Sequence, residues 1–469
     1  MRILIVSNFY PPFAVGGAEI VAHRHARALI ARGHEVCVFA GRPPGAGQSG
    51  GEISFETVDG VDVHILTLRS LEPERSFRWE AAGRAFRAVA LHARPDVVHF
   101  HNLSGLGANL ILEAKRLGLR TVCTVHDHWG YCAHNTLYRT PGVVCRNAED
   151  CHFCTPNVSD ESGKALPFRL RRDYVRACLS QVDRLVFPSR YLAEAYRAQG
   201  FDPARIDVQS NGVDLERFGK PTRADAPALL RAVVVGYLGE HKGFNLLFEA
   251  IDRLLAQPAL AGRWKIEIVG DGHMREAIAR RVESADYRDH VGFLGKLDQA
   301  EVPKLMARSD VVLLPSVWPE NEPVVMLEAI AAGAAQLASR IGGHVDLVED
   351  GRSGRLFASG DAADLADKIA GYVEDRASAH AHGAFNLARR DAFAQDAAVS
   401  AYERIYRAPN PDADDGEAIV LCDGGWPPQE VAQLFNNFSL FEGPARLRFI
   451  YADWADSRLW ARARALFLW

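Results

Sequence analysis

Two carboxylates, Glu320 and Glu328, lie on either side of a proline. They delimit the segment whose residue types are best suited to binding a ligand or catalysing a reaction. Residues 310–314 form a short unbroken apolar run, which predicts a strand buried on both faces. Residues 324–332 contain no glycine or proline and predict a helix. Pro323 suits its first position, because the N–H that proline lacks is not needed there. The stretch therefore predicts a strand, a loop and a helix start.

The expected chemistry follows from that local geometry. The backbone amides of Val324 and Val325 would be free donors at the positive end of the helix, which suits a phosphate. Glu320 would lie in the loop before them, and the side chain of Glu328 would lean back toward the same end. Since a carboxylate repels phosphate, we expect both acids to bind hydroxyl groups, which sugars supply. The same residues are equally compatible with a solvated helix start, where acidic side chains are common.

Other strand patterns along the chain must position this unit. They alternate with helical patterns, and that alternation predicts an α/β protein with parallel sheets. Predicted strands include residues 2–7, 34–40, 96–101, 120–125 and 264–269. In an open sheet of this kind, ligands bind beyond the carboxyl ends of the strands, which is where the Glu320 loop would lie.

Glycine and histidine residues follow several of these strands. Gly16 and Gly17 lie between the first strand and the first helix, where paired glycines let the backbone approach a ligand closely. His101 and His126 follow two further strands, at the end where site residues belong. One histidine there is often structural or a helix cap, whereas two at equivalent ends favour a functional role.

Two motifs follow strands in the second half of the chain. Lys242 precedes a predicted helix, and a lysine in that position reaches a diphosphate as a point charge. Gly270 and Asp271 begin a turn after a predicted strand. Taken alone, both motifs are also compatible with a surface lysine and an ordinary turn.

Cysteines cluster in residues 128–166, a segment that we call the cysteine-rich insert. A loop of this length is expected to be functional or metal-bound. Its four cysteines are Cys132, Cys145, Cys151 and Cys154. Four thiolates suit a closed tetrahedral zinc site, and a reducing compartment disfavours disulfides. The alternatives are therefore a structural zinc site and scattered thiols in a loop.

The Glu-x7-Glu spacing behind a buried strand resembles the nucleotide-sugar signature of retaining GT-B glycosyltransferases of the "family four" group. The resemblance extends over residues 1 to about 407 and includes a Thr-Val-His-Asp motif at His126. It implies two Rossmann-like, doubly wound parallel-sheet domains facing a cleft. It also implies that Glu328 binds the ribose hydroxyls, and that His126 and Glu320 are catalytic residues that bind the transferred sugar.

The remaining donor contacts are also implied by this resemblance. Gly16 and Gly17 would meet the donor phosphates and sugar, Lys242 would meet the diphosphate, and the turn at Gly270 and Asp271 would lie beside the base. Many family members have Gly-Phe-Gly between the two acids. The donor-binding residues of this chain in that region are Asn321, Glu322, Pro323, Val324 and Val325.

The implied reaction moves a sugar from a nucleotide-diphosphate sugar, a UDP- or GDP-sugar, to an acceptor hydroxyl with retention of anomeric configuration. The departing phosphate oxygen would take the acceptor proton, so catalysis would require no cofactor. A glycan or lipid-linked acceptor, in surface polysaccharide or glycoconjugate synthesis, is expected. Two alternatives remain: a nucleotide-sugar 2-epimerase, and a non-catalytic binding protein, the latter because Tyr237 stands where the family has arginine.

Five parts are expected along the chain. An amino-terminal acceptor domain would span residues 1–215 and contain the cysteine-rich insert. The nucleotide-sugar domain would span residues 216–392, and a helix at 393–407 would cross back to the first domain. A linker rich in proline and aspartate at 408–417 precedes an α/β segment of unassigned role at 418–469.

Composition excludes several classes of protein. The 469 residues are 48% hydrophobic, enough for more than one core, and the net charge of −5 gives no argument for a nucleic-acid partner. No apolar run is long enough to span a bilayer, and residues 1–7 suit a buried strand better than a signal peptide, so we expect a cytoplasmic protein. Arg171 and three neighbouring arginines suit either a solvated basic face or peripheral contact with anionic lipid.

Overall fold

The computed structural model describes the chain as far as residue 409, and the predictions made for the rest of the linker and for residues 418–469 lie outside the described residues. The described part is residues 1–409 without 14–15, 46–47, 71–76, 133, 140–142, 146–150, 156, 160–162, 220–228 and 299. No helix in those ranges is both long and apolar enough to cross a membrane.

Strands and helices alternate along most of the described chain. The strands are β1 (Arg2–Ser7), β2 (Glu35–Arg42), β3 (Ile53–Val58), β4 (Val61–Thr67), β5 (Val97–Phe100), β6 (Arg120–Thr124), β7 (Tyr138–Arg139), β8 (Val143–Val144), β9 (Asn157–Ser159), β10 (Ala165–Pro167), β11 (Arg184–Phe187), β12 (Ile206–Val208), β13 (Leu230–Val235), β14 (Trp264–Val269), β15 (Val291–Gly295), β16 (Val311–Leu314), β17 (Ala335–Ser339) and β18 (Gly354–Phe357). The helices are α1 (Gly17–Ala31), α2 (Glu80–Ala93), α3 (Asn109–Arg116), α4 (Cys151–Cys154), α5 (Phe168–Leu179), α6 (Arg190–Ala198), α7 (Phe244–Leu255), α8 (Arg275–Val282), α9 (Glu301–Arg308), α10 (Val324–Ala331), α11 (His344–Leu347), α12 (Ala362–Glu374), α13 (Arg376–Arg389) and α14 (Gln395–Arg407).

Two large sheets organise these elements. The amino-terminal sheet has the strand order β12-β11-β6-β5-β1-β2-β4-β3, with β3 antiparallel to β4 and the other neighbours parallel. The carboxy-terminal sheet has the all-parallel order β15-β14-β13-β16-β17-β18. The latter is the order of a Rossmann fold. The prediction of an α/β protein with two doubly wound parallel sheets is confirmed.

Each sheet reverses its strand order at one point. In the amino-terminal sheet that point lies between β1 and β5, and in the carboxy-terminal sheet it lies between β13 and β16. Loops that leave such neighbouring strands run in opposite directions and open a crevice at their carboxyl ends. The four loops concerned contain Gly16, His101, Lys242 and Glu320, so the topology places the predicted site residues at both crevices.

Alternating residues of the central strands bury their side chains in separate cores. In β1, Ile3 and Ile5 join one apolar cluster, while Leu4 joins another on the opposite face. In β16, Val311 and Val312 likewise separate into two clusters. Successive side chains point to opposite faces of a sheet, so an unbroken apolar strand requires cover on both sides. This is why helices flank both sheets.

The last helix returns to the amino-terminal sheet. Tyr402 and Tyr406 of α14 pack in the same cluster as Ile3. The Glu403 carboxylate lies 2.8 Å from Arg32 Nη2 and 2.6 Å from His34 Nε2. Helix α14 therefore packs against the sheet that contains the first strand, β1.

Candidate active site

The loop between β16 and α10 is the centre of the candidate site. The helix begins at Val324, and Pro323 lies at the N-cap, one residue earlier than predicted. The amide of Met326 donates to Pro323 O over 2.9 Å. The amides of Val324 and Val325 have no acceptor among the described residues, as expected in a first helical turn. These two amides can bind an anion.

The first turn of α1 faces the first turn of α10. A Cβ placed on Gly17 would lie 3.5 Å from Val324 Cγ2, so the Val324 side chain lies next to the start of α1. Gly16 has an extended conformation, and its amide donates to Glu19 Oε2 over 2.8 Å. The positive ends of two helix dipoles are thereby brought to one region.

Glu320 is buried and forms an ion pair. Its Oε2 lies 2.9 Å from Lys242 Nζ, and Ser316 Oγ donates to its Oε1. Burial acts to raise the pKa of Glu320, but Lys242, the neighbouring His344 and the Ser316 hydrogen bond outweigh burial and lower it. The carboxylate is therefore charged at neutral pH. The ion pair joins two residues that the sequence assigned separately to the sugar and the diphosphate.

Aromatic rings surround this ion pair toward solvent. Lys242 Nζ lies 5.2 Å from the centre of the Trp318 ring, close enough for a cation–π contact. Tyr237 is half exposed, and its hydroxyl lies 3.2 Å from His273 Nδ1. A half-exposed tyrosine therefore occupies the position where the family pattern has arginine.

Glu328 is also buried, and it contacts arginines from outside its own sheet. Its Oε1 accepts from Arg217 Nη1 over 3.2 Å and lies 3.8 Å from Arg24 Nη2 of α1. Burial raises the pKa of Glu328, and the two arginines only partly oppose it. Arg24 Nη1 is buried without a hydrogen-bond partner among the described residues. Nothing in the local sequence indicated either arginine.

Asn321 and Glu322, predicted to bind the donor, bridge to the amino-terminal sheet. Asn321 Nδ2 donates to His126 O over 3.1 Å, and Ser189 Oγ donates to Asn321 Oδ1. The carboxylate of Glu322 accepts from the Asn211 amide over 2.7 Å, and burial raises its pKa to about 7. Both side chains therefore make contacts between the two sheets.

Two glycines allow the loop to take this path. A Cβ on Gly343 would lie 1.5 Å from Asn321 O, and a Cβ on Gly342 would lie 2.3 Å from Glu320 O. Any side chain at these positions would displace the loop that carries both acids. Asp346, three residues later, accepts from the Tyr191 amide over 2.8 Å and adds another contact with the amino-terminal sheet.

His126 and His101 meet at the carboxyl ends of β6 and β5. His101 Nδ1 lies 2.9 Å from His126 Nε2, and their rings are stacked with centroids 5.2 Å apart. Burial lowers the pKa of His126 to about 3 and holds that of His101 well below its usual value. Both imidazoles are therefore neutral at physiological pH and act as hydrogen-bonding groups without charge.

Gly270 and Asp271 lie beside the loop after β13. A Cβ on Gly270 would lie 1.8 Å from Gly236 O, and the Leu238 amide donates to Asp271 O over 2.9 Å. The Asp271 carboxylate is half exposed and lies 3.5 Å from Arg275 Nη1. The structure thus brings this turn next to the segment that carries Lys242.

The four cysteines of the insert line one cavity of about 20 Å³. Among the described residues, one group of His, Cys, Asp or Glu has at least three ligand atoms mutually within 4.8 Å, and it consists of His25, His99 and His101. No three of the thiols come that close together.

The predicted basic face of α5 is interrupted by burial. Arg171 is completely buried beneath Trp129 and Phe168, with ring centroids 5.1 and 5.9 Å from its Cζ. Arg169 is half exposed. The interpretation of these arginines as one solvated or lipid-facing surface is therefore wrong for Arg171, because tertiary packing encloses it.

Two family models match successive parts of this chain. Residues 15–217 match the sequence model of Glycosyltransferase Family 4, and residues 228–386 match that of Glycosyl transferases group 1. The chain is 27% identical over 405 residues to the glycogen synthase of Mycobacterium tuberculosis, covering 81% of this chain and 87% of that protein. It is 30% identical over 201 residues to the amylovoran biosynthesis glycosyltransferase AmsK of Erwinia amylovora, covering 42% and 48%.

A solved structure of similar fold is Anabaena HepE in complex with UDP. The TM-score is 0.62 at 17% identity, and the match covers 87% of this chain and all of that one. A likeness at this level of identity concerns the fold.

Proposed function

Because the chain belongs to the group 1 glycosyltransferases of the GT-B fold, we propose that it transfers a sugar from a UDP- or GDP-sugar to an acceptor hydroxyl with retention of anomeric configuration. One observation carries the proposal. The unbonded amides of Val324 and Val325, the Glu320–Lys242 ion pair and the glycine turn at Gly17 lie at the same end of α10. A nucleotide diphosphate fits that combination of donors and charge.

Charge on the leaving diphosphate is stabilised by groups of this chain. The two helix-end amides and Lys242 offer donors that are already in place, so little reorganisation accompanies the reaction. The diphosphate would compete with Glu320 for Lys242, which leaves the carboxylate available to a sugar hydroxyl. UDP is the first candidate nucleotide, because the HepE structure of the same fold contains UDP.

The acceptor side is assigned to the amino-terminal sheet. His126 is neutral, so it suits a hydroxyl and adds no charge next to the reacting carbon. With no protein nucleophile invoked, the departing phosphate oxygen would take the acceptor proton, and the new bond would form on the same face of the sugar. No cofactor is required in this scheme.

We assign the reaction to synthesis of a surface polysaccharide or glycoconjugate. Support comes from the similarity to AmsK, whose name refers to amylovoran biosynthesis, and to glycogen synthase. A lipid-linked acceptor would place the protein at the inner face of the membrane.

The test is direct incubation of the full chain with labelled UDP- and GDP-sugars, with and without oligosaccharide and lipid-linked acceptors. We expect label to move to an acceptor, and the coupling constant of the new anomeric proton to report retention. A new nucleotide sugar formed without acceptor would identify a 2-epimerase instead. Binding without turnover of any donor would identify a non-catalytic protein.

Glu328→Ala tests the donor site itself. Losing a buried carboxylate that binds ribose hydroxyls should weaken nucleotide affinity by about 10- to 100-fold, measured by calorimetry. Glu349→Ala is the matched control, because Glu349 is an acid of the same half of the chain that pairs with Arg389 outside the cleft. Unchanged nucleotide affinity in a folded Glu328→Ala protein would contradict the assignment.

A further inference from the structure

The cysteine-rich insert contains only very short elements in its described part. Strands β7 and β8 have two residues each, β9 and β10 have three, and α4 has four. Elements this short bury little apolar surface of their own. Small units of this kind are usually held together by a metal ion or by disulfides.

The thiols of the insert face one another across a single cavity. All four cysteines line it together with aromatic side chains that include Tyr131 and Phe168. Its volume of about 20 Å³ has room for one particle the size of a water molecule or a metal ion. Such a cavity, lined by soft sulfur ligands, suits a borderline-soft cation better than a polar ligand.

Burial raises the pKa of the Cys132 thiol, but two backbone N–H groups, of Leu137 and His134, hydrogen-bond to its sulfur and oppose that rise. Donors of this kind favour a thiolate over a neutral thiol, and they are typical partners of metal-bound sulfur. The backbone of the insert therefore already provides for an anionic sulfur at this position.

An unpartnered cation lies beside the cavity. Arg171 is fully buried, and its three guanidinium nitrogens have no hydrogen-bond partner among the described residues. It stacks on Phe168, which lines the cavity. A buried cation is costly unless anions balance it, and burial lowers the pKa of Arg171 to about 10, with Cys132 and Asp127 among the nearby groups that oppose this decrease.

We propose that Cys132, Cys145, Cys151 and Cys154 bind one Zn²⁺ ion as thiolates, in a structural site whose excess negative charge is offset by Arg171. Four thiolates around Zn²⁺ carry a net charge of about −2, which would balance a buried cation that has no hydrogen-bond partner among the described residues. The site is independent of the proposed glycosyl transfer.

Binding would draw the sulfurs together. Sulfurs around a tetrahedral zinc lie about 3.8 Å apart, whereas no three of these thiols lie mutually within 4.8 Å in the described structure. The ligands stand on separate short pieces of chain, since Cys145 follows β8 and Cys151 begins α4. Closing the site would therefore require side-chain rotations and shifts of these pieces.

The ion would stabilise the segment of chain that follows His126. Tyr131, next to the first ligand, has its hydroxyl 2.6 Å from His128 Nδ1, and the other ring nitrogen of His128 lies 3.4 Å from the Tyr191 hydroxyl. His128 is only two residues beyond His126. The zinc site would therefore fix the end of β6 that faces the cleft.

The full chain, purified in reducing buffer without chelator, tests the proposal by metal analysis. We expect about one zinc ion per chain. The double variant Cys151→Ser/Cys154→Ser should lose this zinc, whereas Cys37→Ser, at a half-buried cysteine of β2 outside the insert, should retain it. A thiol-specific mercurial should release zinc from the wild-type chain as the thiols react. That measurement supports the proposal even where the double variant does not fold.

Cobalt identifies the ligands independently. With Co²⁺ replacing Zn²⁺, a sulfur-to-metal charge-transfer band should appear in the wild type and in Cys37→Ser. Three results would overturn the proposal: a chain that binds no zinc after Zn²⁺ is added in reducing buffer, zinc retained by the folded double variant, or the four thiols found joined as disulfides. Retained zinc would direct attention to His25, His99 and His101.

Discussion

The two sides of the cleft hold opposite kinds of buried polar groups. On the amino-terminal side, His101 and His126 contact each other, and burial keeps both neutral. On the carboxy-terminal side, Glu320 is just as enclosed but remains charged, because Lys242 lies 2.9 Å away. The difference shows that burial alone does not set the charge of a group, and that a single partner of opposite sign reverses its effect.

This division of charge matches the two halves of the proposed reaction. The charged side is suited to a diphosphate that gains negative charge, and the neutral side is suited to hydroxyl groups of the sugar and acceptor. Three experiments test the comparison, beginning with the largest expected effect.

Lys242→Ala removes the cation that keeps the carboxy-terminal side charged. It also leaves Glu320 as an unpaired carboxylate facing the diphosphate. We expect kcat for sugar transfer to fall by roughly 10²- to 10³-fold, as when other pre-placed charge-stabilising donors are lost. Lys304→Ala is the control, because that lysine is exposed on α9. The double variant Lys242→Ala/Glu320→Gln should recover part of the loss, and transfer at the wild-type rate by Lys242→Ala would contradict the assigned role.

His126→Ala tests the neutral side. Loss of one hydrogen-bonding group to the sugar should lower kcat by about 10-fold, with little change in nucleotide affinity. Because burial holds the pKa of His126 at about 3, its protonation should produce no inflection in the pH–rate profile between pH 5 and 8. An inflection near pH 6.5 that disappears in His126→Ala would show that this histidine titrates. It would contradict the claim that the amino-terminal side of the cleft is neutral. His92→Ala, at an exposed histidine of α2, is the control.

Glu322→Gln tests a buried carboxylate for which the structure records hydrogen bonds but no ion pair. Burial raises the pKa of Glu322 to about 7 in the folded protein. Between pH 4.5 and 7 the folded state therefore binds more protons than the unfolded state, and stability falls as pH rises. Glutamine keeps an acceptor for the Asn211 amide, so the variant should be more stable than wild type at pH 8 by roughly 1–2 kcal/mol and nearly equal at pH 4.

Urea unfolding at pH 4 and pH 8 measures this difference. Glu349→Gln, at a carboxylate paired with Arg389, is the matched control and should not stabilise the protein at pH 8. Equal stability of wild type and Glu322→Gln at both pH values would show that Glu322 is not held neutral by burial.

Several features of the fold were predictable because they depend on local pattern. The apolar runs of β1 and β16 required cover on both faces, and the structure buries their side chains in clusters on both. The spacing of Glu320 and Glu328 led to the glycosyltransferase family, and the comparisons confirm that resemblance. The zinc site remains a prediction.

Other features were not predictable because the partners are distant in sequence. Arg24 and Arg217 reach Glu328 from α1 and from the chain between the sheets, and no local pattern marks either as its partner. The burial of Arg171 was missed for a similar reason, since one of the rings that enclose it belongs to Trp129, near the start of the insert and far from Arg171 in the sequence. A basic run by itself does not reveal which of its members lies inside.

The sequence by itself determined the strands, the helix starts, the glycines at close backbone approaches and the family, because each depends on residue type and short-range spacing. The tertiary structure alone decided that Glu320 is charged, that Glu322 contacts the other sheet and that His101 and His126 are neutral. Those properties depend on burial and on partners such as Asn211 for Glu322, which lie 111 positions apart and meet only when the two sheets are brought face to face.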